Sequence, residues 1–169
     1  MSCAVDVDCM ENVSSPLSEE EICEACAFVL EQEGVERTCF VSVSIVSEER
    51  IREVNAEWRE QDRATDVISL ECERPDDEML GPDEPCELGD ILLAPTYIER
   101  QAERFGIPVE DEFTLLLVHG MLHLLGYDHL EEDEAEEMEQ REDELVALLR
   151  PRATLGHTRL TRHEGEGVL

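Results

Sequence analysis

At 169 residues, with 44 Asp and Glu against 13 Arg and no Lys, the chain carries a formal charge of −31. Its length suits one domain that buries about two thirds of the surface its unfolded form exposes. The longest apolar run, Leu115 to Val118, stops at His119 and is far too short for a membrane span, and the start MSCAVDVDCM has no basic or apolar leader region, so a soluble cytoplasmic protein with no membrane partner is expected.

Residues 4 to 8 alternate as a short strand, and Ser18 with Glu21 forms a capping box that opens a helix to about residue 33, its apolar positions being Ile22, Ala25, Cys26 and Val29. Phe40 to Val46 alternates as a second strand. Residues 48 to 60 place Ile51, Val54 and Trp58 at helical spacing, and strands follow near 66 to 71 and 88 to 93. Between these strands, Arg74 to Glu87 is rich in Pro, Gly and Asp and reads as a polar, mobile loop. A helix from about 96 to 105 ends at Gly106, and Pro108 introduces a helix over 109 to 125 that is apolar almost all round, as a central buried helix is. A last helix, about 131 to 148, turns Ala135, Met138, Leu145 and Leu149 inward and stops near Pro151; the basic tail over 151 to 169 has no periodicity and reads as loose. The pattern predicts a single α+β domain over 1 to 150, a small mixed sheet packed by helices with one parallel crossover at the start.

Seven cysteines at irregular spacing do not form a secreted disulfide framework, so unbridged, mostly buried thiols are expected; Cys23-x-x-Cys26 lies inside a helix without a second pair and reads as packing. Net charge argues against nucleic acid, which is usually gripped by positive surface. The charge is uneven: residues 131 to 144 hold ten acids and one Arg, which reads as a solvated helix face, while 150 to 169 hold four Arg and two Glu. Contact with phosphate must therefore fall to local arginines.

The string HGMLHLLGYDH holds His119, His123 and His129. The first two are four apart and share a helix face, roughly 5 to 6 Å between Cβ atoms, which suits a two-point clamp on one ion. Gly126 can end the helix in a left-handed conformation and turn the chain back, so that His129 closes a third side. Three imidazoles leave the fourth position of one Zn²⁺ open to water, the layout of a catalytic zinc site. The same spacing occurs in metzincin proteases, which makes a metallopeptidase the first rival; but those carry a Glu after the first His, where this chain has Gly120. Asp66 and Asp128 are the nearest candidates for a general base, with Asp128 equally suited to hold a ligand imidazole.

The run LVHGMLHLLGYDH closely resembles the signature of the YbeY family, zinc-dependent endoribonucleases of ribosomal RNA maturation. Asn55 to Ser69, NAEWREQDRATDVIS, is similar to that family's Asn, aromatic-Arg and Thr-Asp-Val-hydrophobic-Ser patches; LGDIL at 88 to 92 looks like its Leu-Gly-Asp-Ile strand, and Glu134 and Met138 fall where it has an acid and a Met. The resemblance covers about residues 5 to 149. It implies a zincin-like arrangement of four strands and about five helices, and a single-strand-specific endoribonuclease acting in 16S rRNA 3′-end maturation and ribosome quality control. Its implied partners are an rRNA precursor, small-subunit proteins and a maturation GTPase, with no DNA expected. It further implies that Arg59, which charge density alone would pair with Glu57 or Glu60, joins His119 in catalysis by binding the scissile phosphate, with Arg63 as a weaker companion. A third reading, a zinc-stabilised assembly factor that binds ribosomal partners without cutting, stays open at this point.

Overall fold

The computed structural model describes residues 3–127 and 131–150. Along these the elements run β1 (Cys3–Cys9), α1 (Glu19–Gln32), β2 (Cys39–Ile45), α2 (Glu48–Arg59), β3 (Val67–Glu71), β4 (Cys86–Leu93), α3 (Pro95–Phe105), α4 (Val109–Leu124) and α5 (Glu132–Leu149). Type and order agree with the periodicity throughout. The basic tail expected over 151–169 lies outside the described residues.

The four strands form one mixed sheet in the order β1-β2-β4-β3, with β1, β2 and β4 parallel and β3 antiparallel to β4 at the edge. Alternation along each strand divides the core between the two faces. Val41, Val43, Val67, Ile91 and Leu93 share one core with α1 and α4, which α5 closes from behind, while Ile68 and Leu92 meet Ile51 and Val54 of α2 on the other face. The register of β2 and β4 shifts between Phe40 and Val41. Opposite that shift, Gly89 (φ 137°) sits so close to β3 that a Cβ would stand 2.1 Å from the Leu70 carbonyl oxygen, an approach that only glycine permits.

Helix α4 is the centre of the larger layer, touching β3, β4, α1, α3 and α5. Its residues from Asp111 to Leu122 are all buried, which explains a sequence that is apolar nearly all round. The Ser18–Glu21 capping box is present at the start of α1, and Gly106 (φ 67°) ends α3 as expected. All seven thiols are unbridged as expected, but only Cys26, Cys39 and Cys86 are buried in the core; Cys3 and Cys23 are half-buried and Cys9 and Cys72 exposed, so most are not buried.

Two further expectations change. Trp58, spaced to face inward from α2, is 63% exposed, because only Ile51, Val54 and Asn55 of that short helix reach the sheet. The loop after β3 is held in place: the Arg37 guanidinium donates to the carbonyls of Pro75, Gly81 and Glu84, and Leu80 is buried in the core. One buried-end cation thus satisfies backbone acceptors that a polar loop would otherwise present to water.

Candidate metal centre

His119 and His123 lie one turn apart on α4, their ring centroids 4.6 Å apart and their planes at 85°. His119 is buried and His123 half-buried near the end of the helix. That end is a Schellman motif: the Gly126 N–H donates to His123 O and the Tyr127 N–H to Leu122 O, both at 3.0 Å. Gly126 takes φ 108°, a conformation that calls for glycine, and the half-exposed Arg74 guanidinium lies close over it. The chain therefore turns just after His123, as the spacing predicts. Asp128 and His129 lie outside the described residues, and among the described residues no group of three or more His, Cys, Asp or Glu side chains is arranged to hold a metal ion.

Behind His119 stands a residue that the sequence reading missed. Glu142 of α5 is fully buried, and its Oε1 is hydrogen-bonded to His119 Nδ1. It belongs to the acidic run expected to be a solvated face. The signal was its position: Met138, Glu142, Leu145 and Leu149 follow one another at i, i+4, i+7 and i+11, so Glu142 interrupts an inward stripe instead of lying on the outward one. Its neighbour Arg141 donates to Glu33 Oε2 at 2.6 Å, and Glu33 Oε1 accepts from the Tyr127 hydroxyl at 2.6 Å. Partial burial, and then the bond to Glu33, push the Tyr127 phenol up to about 12, so it remains a donor at neutral pH. Successive residues of α5 thus hold the first imidazole and the turn that follows the second.

Gly120 packs against the sheet. A Cβ at this position would stand 3.1 Å from Ile91 Cγ2 and 3.2 Å from Ser69 Oγ. The place where a metzincin carries its catalytic Glu here faces β3 and β4 side chains at close contact, so any side chain there needs Ile91 and Ser69 to give way by a few tenths of an ångström.

Arg59 is the last residue of α2 and half-buried, and the helix itself packs through Ile51 and Val54 on the sheet face opposite α4. The helix ends at Glu60 in a left-handed conformation (φ 57°), and the buried Asn55 amide donates to Arg63 O at 2.9 Å, folding the chain back beneath Arg59. Arg63 is exposed and donates to Gln61 Oε1. Asp66, a candidate base, is buried and accepts from the Val67 N–H at 2.7 Å and from Gln101 Nε2 at 3.2 Å, ties that brace the start of β3 against α3. Two clefts flank the turn after α4. One, of about 720 Å³, is lined by Glu33, Arg37 and Tyr127 among others, and one of about 430 Å³ by Tyr127, Glu134 and Glu137.

The model of the family described as Endoribonuclease YbeY matches residues 7–150. The chain belongs to the YbeY family of endoribonucleases. It is 42% identical over 149 residues to the Endoribonuclease YbeY of Bacillus velezensis, covering 86% of this chain and 95% of that protein. It is 39% identical over 146 residues to the YbeY of Bacillus subtilis, covering 83% and 92%. The solution structure of TM1509 from Thermotoga maritima superposes with a TM-score of 0.58 at 27% identity, covering 86% of this chain and 88% of that one. Membership in YbeY does not favour the metallopeptidase or the non-cutting assembly factor.

Proposed function

We propose that this chain is a zinc-dependent endoribonuclease that processes ribosomal RNA in the cytoplasm, cutting single-stranded segments such as the 3′ end of 16S rRNA and serving ribosome quality control. As a YbeY protein it is an endoribonuclease, with RNA as its substrate. The observation that carries the metal reading is the edge-to-face pair of imidazoles on α4, one ring braced by a buried carboxylate, set immediately before the turn to His129. On this reading residues 1–150 are the catalytic unit, the fold is zincin-like, and α4 is its central metal-bearing helix.

His119, His123 and His129 would hold one Zn²⁺, an imidazole donor set that suits this metal. When bound, the ion supplies Lewis acidity toward a phosphoryl oxygen and a water ligand whose pKa falls to about 7. Arg59 binds the scissile phosphate, because a planar guanidinium offers forked donors to the oxygens on which negative charge gathers. Arg63, exposed beyond the turn, contacts the RNA backbone. With a chain charge of −31 these local cations carry the phosphate contacts. The same acidity favours basic proteins of the small ribosomal subunit, and a maturation GTPase, as partners. The expected result is that purified protein with Zn²⁺ cleaves single-stranded RNA, and that His119→Ala and Arg59→Glu each lower the rate by at least about 100-fold with the fold retained. Undiminished cleavage in both variants would trace the activity to a contaminating nuclease.

A further inference from the structure

We infer that Glu142 is the positioning residue for His119: its carboxylate accepts the hydrogen bond from the imidazole Nδ1–H and so commits Nε2 to the metal. The inference rests on His119 being a metal ligand. A neutral imidazole carries its proton on one nitrogen and its lone pair on the other, so whichever nitrogen is bonded to an acceptor decides which is left to donate electrons. An ionised carboxylate can only accept. Glu142 Oε1 faces Nδ1, and both side chains are removed from water, at 0% and 1% exposure. A solvated carboxylate would trade its partner for water; this one is held by its helix. Met138 and Leu145, its neighbours along the α5 stripe, are fully buried, which sets the reach of the Glu142 side chain toward α4.

The pairing has two consequences for metal binding. It selects the tautomer in advance, so the ion need not recruit a minor form of the ring, and it raises the basicity of Nε2. It also explains an acid in the interior of a domain this acidic, where burying one more carboxylate without a charge-stabilised donor would be unfavourable. His123, half-buried at the open end of α4, lies nearer to solvent than His119. The buried ring is therefore the fixed point of the pair.

The test uses the full-length wild type with Glu142→Ala, Glu142→Gln and His119→Ala. Zn²⁺ affinity is read by competition with a chromophoric chelator, and the His119 tautomer by ¹⁵N shifts of the imidazole in metal-free protein. The expected result is the Nδ1–H tautomer in the wild type, affinity lowered about 10- to 100-fold by Glu142→Ala, and most of it recovered in Glu142→Gln, whose amide oxygen still accepts from Nδ1. If Glu142→Ala does not fold, the wild-type tautomer and the near-isosteric Gln variant still decide. An Nε2–H ring in the wild type, or affinity unchanged in a folded Glu142→Ala while His119→Ala loses it, overturns the role of Glu142 alone. A wild type that binds no Zn²⁺, or a His119→Ala that binds it unaltered, overturns the metal reading and this inference with it.

Discussion

The two layers against the sheet treat their polar residues in opposite ways. On the α4–α5 side His119 and Glu142 are sealed in the core, paired with each other and surrounded by apolar neighbours. On the α2 side Trp58 is exposed, Arg59 half-buried and Arg63 exposed, on a turn shaped by the Asn55 amide. A metal ligand needs a ring that cannot swing, since ligand geometry is set before the ion arrives; a phosphate-binding guanidinium needs access to solvent, since its ligand is a large polyanion. On the function proposed above, this division would set a fixed metal-bearing side against an open phosphate-binding side.

The largest expected effect separates these layers directly. His119→Ala should lose both stoichiometric zinc, measured by elemental analysis, and RNA cleavage. Arg59→Glu should lose cleavage by at least about 100-fold while keeping its zinc, because on the proposed reading Arg59 contacts phosphate and is not a metal ligand. Loss of zinc in Arg59→Glu would join the two layers into one structural unit and break the division.

Gly120→Glu tests whether the absent peptidase base is an accident of sequence. The site is closed by Ile91 and Ser69 at 3.1 to 3.2 Å from an added Cβ. The larger side chain both overpacks the α4–sheet contact and carries a charge into the core, so we expect a loss of about 3 kcal/mol or more in urea unfolding, and no peptide hydrolysis. A folded variant of undiminished stability would show that α4 can shift away from the sheet.

These contrasts were unequally legible in the sequence. The nine elements among the described residues and the histidine spacing could be read because helical and strand periods are local properties of apolar placement, and because Gly126 and Gly106 mark helix ends by backbone conformation. Glu142 could not be read by composition, since a carboxylate within an acidic run counts as solvent-facing whatever its phase; only its place at i+4 from Met138 gives it away. Trp58 fails for the converse reason: an aromatic at apolar spacing is expected inward, but nothing in the period says that a short helix covers a narrow sheet with only two of its turns. The face of the sheet that carries Arg59 depends on strand order, which is a long-range property and has no local signal.

A smaller effect concerns the turn after α4. Tyr127→Phe removes the hydroxyl that donates to Glu33 while Arg141 continues to hold that carboxylate. The expected cost is about 1 kcal/mol, a fall of about 2–4 °C in Tm. The phenol also predicts an alkaline signature. Its pKa is raised from 10.0 to about 12 in the fold. The unfolded chain therefore gives up this proton first, and the stabilisation is intact below 10 and is lost as pH climbs toward 12. Denaturation in urea over that range should show a decline in wild type that is shallower in Tyr127→Phe.

The smallest effect sets the scale for the rest, because it acts on stability through a helix cap that involves neither His119, Glu142 nor Arg59. Ser18→Ala removes the hydroxyl that accepts from the Glu21 N–H at the start of α1, for an expected cost of about 1 kcal/mol. The reciprocal bond survives, since the Ser18 backbone N–H still donates to the Glu21 carboxylate at 2.9 Å. That backbone donor is the first cause of the lowered Glu21 pKa, with the Ser18 side chain second. A lowered pKa stabilises above the ordinary carboxylate range and loses that contribution as pH falls through it, so Ser18→Ala should keep most of the acid dependence, and Glu21→Gln should abolish it. Zinc affinity should be unchanged in both variants. A shift in affinity matching that of Glu142→Ala would mean that the centre responds to global stability, and that the buried pair holds the ring no more specifically than any other contact in the fold.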